Sequence, residues 1–198
     1  MTQTLKYLMK GFDFMAEVVN IVASMRLAEN IDVNAVADEL MIDYSQEQFP
    51  GMVYRVEEPK VCLLLFRSGK AVATGAKSVE DVEIAFETLR NDLERHDFEL
   101  WPKEDCEYDI HNIVMTTDLS TLVAGKIDLS TLMLNLPFEK TEYEPEQFPG
   151  LIYRLDEPSV VFLIFSSGRC VITGADTFDV AEEAENALRD ELSLFLNA

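Results

Sequence analysis

Glu47-Gln-Phe-Pro-Gly-Met-Val-Tyr-Arg-Val-Glu-Glu-Pro-Lys-Val-Cys-Leu-Leu-Leu-Phe-Arg-Ser-Gly-Lys-Ala-Val-Ala-Thr-Gly-Ala76 returns 99 residues later as Glu146-Gln-Phe-Pro-Gly-Leu-Ile-Tyr-Arg-Leu-Asp-Glu-Pro-Ser-Val-Val-Phe-Leu-Ile-Phe-Ser-Ser-Gly-Arg-Cys-Val-Ile-Thr-Gly-Ala175. Aligned without gaps, 18 of 30 positions are identical, too many for chance, and self-similarity on this scale decides the architecture before any motif does. A weaker match precedes each copy, Ala16-Glu-Val-Val-Asn20-Ile-Val-Ala-Ser24 beside Tyr108-Asp-Ile-His-Asn112-Ile-Val-Met-Thr116, at an offset of 92. The second half therefore holds about seven extra residues between its blocks. Units this long describe one duplicated domain with pseudo-twofold symmetry, not a solenoid array.

Each unit reads as strand, helix, four strands, helix. Val18–Ser24 is a short strand, and Glu29–Leu40 is helical in pattern, with Asn30 or Asp32 near its start. Gln48-Phe-Pro-Gly-Met is a turn, since Pro and Gly punctuate it between apolar runs. Val53–Val56, Val61–Phe66 and Ala71–Thr74 are β-rich and separated by Glu-Glu-Pro and Ser68-Gly69, which predicts hairpin connections. Ser78–Arg95 carries apolar residues at helical spacing, with Ser78 as N-cap and Glu80-Asp81 complementing the positive helix start. Thr177 to Phe195 closes the second unit likewise, and 97–107, holding Trp101-Pro102, joins the two.

Composition bounds the function classes. The 198 residues are 48% hydrophobic and 27% charged, the balance of a globular protein, and no stretch approaches the ~20 apolar residues that span a bilayer. The first residues lack the apolar run and cleavage site of a signal peptide, so a cytoplasmic location is expected. Cys62, Cys106 and Cys170 form no Cys-x-x-Cys pair, and His96 and His111 complete no zinc constellation; reduced thiols in or near the core are expected. An enzyme is not expected. Gly69-Lys-Ala-Val-Ala-Thr-Gly75-Ala-Lys77 has the wrong spacing for a phosphate-binding loop, and no nucleophile motif occurs. With 37 acidic against 16 basic residues the net charge is −21, which taken alone argues against nucleic acid, because phosphate repels carboxylate.

The duplicated blocks argue the other way. Paired Phe-Pro-Gly, Tyr-Arg, Phe-x-Ser-Gly-Lys/Arg and Val-x-Thr-Gly-Ala blocks, each after an Asn-Ile-Val strand, resemble the TATA-box-binding protein family, over roughly residues 16–196. The string Tyr143-Glu-Pro-Glu-Gln-Phe-Pro-Gly150 is similar to the archaeal form in particular. The resemblance implies an α+β fold: a curved ten-stranded antiparallel saddle with helices on its convex face. It implies an N-terminal extension over 1–15 with no assigned role, repeats over 16–99 and 108–198, and a connector over 100–107.

It also implies residue roles. Phe49, Phe66, Phe148 and Phe165 match the wedges that enter the minor groove and unstack base steps, a task that needs a stiff apolar side chain. A strand phenylalanine is more often core, but four at duplicated positions beside Pro-Gly and Ser-Gly turns overturn that reading. Asn20, Asn112, Thr74 and Thr173 match the central polar readers, whose donors suit a groove that offers acceptors at A·T pairs. Val22, Val114, Val72 and Val171 match the apolar floor. Arg55, Lys60, Arg67, Lys70 and Lys77, with Arg154 and Arg169, match phosphate contacts, and Glu144 and Glu146 match acidic positions that meet transcription factor B.

The chain departs from the pattern in its second half, where Ser159, Ser166 and Asp176 stand opposite Lys60, Arg67 and Lys77. Residues 47–77 carry five basic and three acidic groups, net +2, whereas 146–176 carry two and four, net −2. The implied function is a general transcription initiation factor that binds and bends A·T-rich promoter DNA and recruits transcription factor B and RNA polymerase, with no cofactor, metal, membrane or small-molecule substrate. The alternative is an acidic paralog that binds DNA weakly and regulates through protein contacts. Exposed apolar wedges kept without DNA to bind would only invite aggregation, which favours the first reading.

Overall fold

Each copy of the repeat folds around its own antiparallel strands in a computed structural model that describes residues 16–122 and 125–196. The extension expected over 1–15, with Lys6, Lys10, Phe12 and Phe14, lies outside the described residues. The first copy runs β1 (Glu17–Arg26), α1 (Val33–Glu39), β2 (Met52–Val56), β3 (Val61–Leu65), β4 (Lys70–Ala76) and α2 (Val79–Arg95). The second runs β5 (Tyr108–Asp118), α3 (Leu129–Asn135), β6 (Thr141–Glu142), β7 (Leu151–Leu155), β8 (Val160–Ile164), β9 (Arg169–Ala175) and α4 (Phe178–Leu196). The chain divides into two compact units, Asn20–His111 and the remainder, with the boundaries inside β1 and β5.

Within the first unit the strand order is β2-β3-β4-β1, and within the second it is β5-β9-β8-β7-β6. Neighbours are antiparallel, with Tyr54 opposite Leu63 and Leu64 opposite Val72 in the first unit, and Tyr153 opposite Phe162 and Leu163 opposite Val171 in the second. The fold is α+β, as expected, with one correction. Nine strands form among the described residues rather than ten, because the first unit lacks a counterpart of β6. Thr141 pairs with Tyr153, whereas the equivalent Ile42-Asp43 pairs with no strand and follows Met41 in the left-handed region at φ 53°.

The first helix also starts later than its periodicity predicts, at Val33 rather than Glu29. The intervening residues are held by the β3–β4 turn instead, since Leu27 and Ile31 donate their N–H groups to the carbonyls of Gly69 and Arg67. Leu119 and Ile127 repeat this toward Gly168 and Ser166. Asp32 Oδ1 then accepts from the N–H groups of Asn34 (3.1 Å) and Ala35 (3.3 Å), and Asp128 caps α3 the same way. An N-cap of this kind stabilises a helix by about 1 kcal/mol. Ser78 caps α2 as expected and forms a reciprocal capping box with Asp81.

Period-two burial gives each half-sheet two unlike faces. Met52, Tyr54, Leu63, Leu65, Ala71 and Ala73 are buried against α2, whose Val82, Ala85, Phe86, Leu89 and Leu93 complete the core. Leu151, Tyr153, Phe162, Ile164 and Ile172 are buried in the second unit, as are Ala181, Ala184, Leu188 and Leu192 of α4, which packs against β9. Each such large side chain contributes about 1.5–3 kcal/mol by leaving water. Val53, Cys62, Leu64, Val72 and Thr74 lie on the opposite register and stay half-buried. No described helix is long and apolar enough to cross a membrane.

Candidate nucleic-acid interface

In each unit the face turned away from its long helix carries residues singled out from the sequence. Phe49 lies in the turn before β2 and Phe66 just after β3, at the same end of that hairpin because Met52 pairs with Leu65. Their rings meet edge to face with centroids 6.3 Å apart, and Phe148 and Phe165 repeat the pair at 5.8 Å. Phe49 is 44% exposed, a large apolar surface for a folded monomer to leave in water. The Phe-Pro-Gly motif explains itself at this point. A Cβ on Gly51 would stand 2.9 Å from both rings, and one on Gly150 2.7 Å from Phe148, so these phenylalanine rings rest directly on glycine backbone.

Asn20 and Asn112 lie on this face of their respective units, each beside its threonine. Asn20 Oδ1 accepts from the Gly75 N–H at 2.6 Å and from the Thr74 hydroxyl at 3.4 Å. Asn112 Oδ1 accepts from the Gly174 N–H at 2.8 Å, while its Nδ2 donates to Thr173 Oγ1 at 3.1 Å. Val22, Val72, Val114 and Val171 are half-buried around them. Leu64 and Leu163, the cross-strand partners of Val72 and Val171, complete this apolar surface. Sequence reasoning passed over these two leucines. Counting back two from each wedge phenylalanine finds them, since alternate strand residues share a face.

The basic residues surround this face. Arg55, Lys70, Arg154 and Arg169 share its register, Lys60 and Arg67 occupy hairpin turns, and Lys77 sits between β4 and α2. Among the described residues none of the five in the first unit makes an ion pair within 4.0 Å, and all are exposed. In the second unit Arg154 lies 3.8 Å from Glu142 on the neighbouring strand pair, so its charge is partly answered internally. Asp176, Ser159 and Ser166 are exposed there too.

Glu144 and Glu146 stand exposed in the turn before Phe148. The Glu144 carbonyl accepts the N–H groups of Gln147 and Phe148 at 2.9 Å, and its carboxylate takes the Gln147 amide, so this turn also positions Phe148. Away from the open face the polar groups are structural. Tyr54 and Tyr153 donate to Asp92 and Glu191 of the covering helices, and burial with these carboxylates pushes both phenols well above their usual range. Burial pushes the Cys170 thiol up to about 12, and Cys62 and Cys106 are half-exposed. Among the described residues no cluster of three metal-ligating side chains forms.

The sequence matches the family described as "Transcription factor TFIID (or TATA-binding protein, TBP)" at residues 15–96 and 107–195. It is 44% identical to the TATA-box-binding protein of Haloarcula marismortui over 182 residues, 89% of this chain and 92% of that one. It is 46% identical to that of Natronomonas pharaonis over 180 residues, 88% and 91% of the two chains. Among solved structures, Methanococcus jannaschii TBP superposes with a TM-score of 0.77 at 44% identity, covering 89% of this chain and 97% of the other.

Proposed function

Because the chain belongs to the TATA-box-binding protein family and is a transcription initiation factor of archaeal type, we propose that it binds and bends A·T-rich promoter DNA through the minor groove and presents that complex to transcription factor B and RNA polymerase. The observation that carries this reading is the duplicated wedge: two phenylalanine pairs, each seated on a glycine and each at the open end of a hairpin. Driving such a pair between base steps costs a few kcal/mol of stacking, and the bent duplex then meets more protein. The ~80° kink given for this family in general accounts of minor-groove binding is the expected scale.

The chemistry between the wedges suits an A·T floor. Valines and leucines meet the apolar groove surface, Asn20 and Asn112 supply donors, and the seven basic side chains hold the phosphates on either side. Residues 16–99 and 108–198 act as two half-readers joined by 100–107, each carrying its own copy of the DNA-facing residues. Glu144 and Glu146 offer carboxylates to a basic partner, which favours rapid, steered encounter with transcription factor B.

A second reading has an observation of its own. With Asp176 exposed and Arg154 facing Glu142, the second unit grips phosphate less well, which favours a factor that depends on its protein partner to stay on DNA. Energy transfer between dyes at the two ends of a TATA duplex tests both. The first reading predicts a rise in transfer on adding the protein alone; a rise that needs transcription factor B supports the second. No rise with both proteins present would overturn the DNA-bending role.

A further inference from the structure

Gly51 and Gly150 are glycines that the backbone does not require. Gly69, Gly75, Gly168 and Gly174 take φ between 73° and 106°, the left-handed region that favours glycine, whereas Gly51 and Gly150 lie outside it. Their constraint is space. A Cβ on Gly51 would come 2.9 Å from Cε1 of both Phe49 and Phe66, and one on Gly150 2.7 Å from Phe148 Cε1 and 3.1 Å from Phe165 Cε1. The three nearest atoms in each case belong to the two rings, so the rings of each pair meet over their glycine, which is buried. Carbon atoms in contact stand ~3.5–4.0 Å apart, so a methyl group at either position must drive the rings outward.

The backbone beneath the rings is tied. The Phe49 N–H is held by the Ser45 carbonyl at 3.1 Å and the Phe66 N–H by the Lys70 carbonyl at 2.9 Å, while the Tyr44 hydroxyl donates to the Pro50 carbonyl at 3.1 Å. In the second unit the Glu144 and Arg169 carbonyls hold the Phe148 and Phe165 N–H groups at 2.9 Å. An added methyl is therefore accommodated by turning the aromatic side chains. We propose that Gly51 and Gly150 are positioning residues for DNA deformation: by lacking a Cβ they let the two rings of each pair close on one another, so that each pair enters a base step as one narrow wedge. The shortfall against carbon contact, ~0.6 Å or more, exceeds the ~0.5 Å to which a binding constellation must be held. This rests on the minor-groove reading above.

Alanine at these two positions is the discriminating change, because the backbone admits it and the rings do not. Gly51→Ala and Gly150→Ala are read first in the free protein. The phenylalanine ring resonances of the altered pair should shift while the methyl resonances of the buried core stay in place, and the urea midpoint should hold or rise. On a TATA duplex each variant should bind about tenfold more weakly and give a smaller rise in end-to-end energy transfer, with the salt slope unchanged because no phosphate contact is lost. The loss should depend on the rings. In a Phe148→Leu background Gly150→Ala should cost about twofold or less, a coupling that a double-mutant cycle measures. In the first unit, where the Cβ meets both rings equally, the same relief should need Phe49→Leu together with Phe66→Leu.

Unmoved ring resonances in the alanine variants would overturn the proposal, as would moved rings with unaltered binding and bending. A tenfold cost that persists after the rings are removed would also overturn it, since the glycine would then act by another route. Loss of the fold in both alanine variants would count against it equally, because the φ of each glycine admits alanine. Failure of the unaltered protein to bind the TATA duplex would overturn the minor-groove reading and this proposal with it, an outcome told apart by ring resonances that still move in the free variants.

Discussion

In the first unit Arg55, Lys60, Arg67, Lys70 and Lys77 stand exposed, without an ion pair among the described residues; in the second, Ser159, Ser166 and Asp176 replace three of them and Glu142 lies 3.8 Å from Arg154. The phenylalanine pairs and the asparagines, by contrast, are copied faithfully, ring pair for ring pair and bond for bond. On the proposed function, duplicated geometry with divergent charge separates two jobs that a single DNA-binding surface usually combines. Deforming the duplex needs stiff rings on a rigid backbone, which tolerate little change. Holding phosphates needs exposed charge, which varies at small cost to the fold.

The interior divides along the same line. Behind β1 the first unit stacks Phe86 on Tyr108, with ring centroids 6.2 Å apart. At the positions matching Met25 and Phe86 the second unit has Thr117 and Glu185, where Thr117 Oγ1 donates to the buried Glu185 carboxylate and Arg189 donates to Glu185 at 2.9 Å and to the Asp118 carbonyl at 3.0 Å. A buried carboxylate of this kind stabilises only while its partners remain.

The largest effect that could break the comparison is on bending. Phe49→Ala with Phe66→Ala, and Phe148→Ala with Phe165→Ala, should each abolish the rise in end-to-end energy transfer and weaken binding by about a hundredfold, roughly 3 kcal/mol. Loss confined to one pair would show that the copies are not equivalent. Next comes stability. Arg189→Ala should cost about 3 kcal/mol in urea unfolding, because it strands the Glu185 carboxylate, 3% exposed, whereas replacing the whole group by Thr117→Met, Glu185→Phe and Arg189→Met should be close to neutral.

Charge grafts are gentler. Ser166→Arg and Asp176→Lys should tighten binding and steepen the salt dependence by about 0.9 per added phosphate contact, and Arg67→Ser with Lys77→Asp should do the reverse. The smallest effect is on the thiols. With its thiol raised to about 12, Cys170 should resist an aromatic disulfide reagent near pH 8 while the half-exposed Cys62 and Cys106 react. Since a raised thiol pKa favours the neutral form in the fold, its contribution is complete below the ordinary thiol range and is lost as pH climbs toward 12.

Most of the fold was legible because duplication doubles every signal: a Pro-Gly turn seen twice at one spacing is no accident. What stayed hidden depends on contacts distant in sequence. Helix α1 starts at Val33 because Ile31 is already bonded to Arg67, and periodicity within 29–40 carries no trace of that bond. The absence of a β6 counterpart turns on whether Ile42-Asp43 reaches β2, which the similar residue patterns do not reveal. The phenylalanines, asparagines and basic residues were legible as types; that each phenylalanine pair rests on a glycine and each asparagine oxygen accepts from a glycine N–H came from the turns and bulges. The −21 charge misleads for a related reason, since much of the acid lies on α2 and α4, on the far side of each half-sheet from the open face.

The central claim, minor-groove A·T binding by a duplicated face in an acidic chain, is met most directly by fluorescence anisotropy of a labelled TATA duplex titrated with the protein over a salt series, with a G·C duplex of equal length as competitor. The account predicts A·T-preferring binding whose affinity falls with salt at a log–log slope no steeper than about −6, the limit set by seven phosphate contacts at ~0.9 each. Equal competition by the G·C duplex, or no binding even with transcription factor B present, would contradict it.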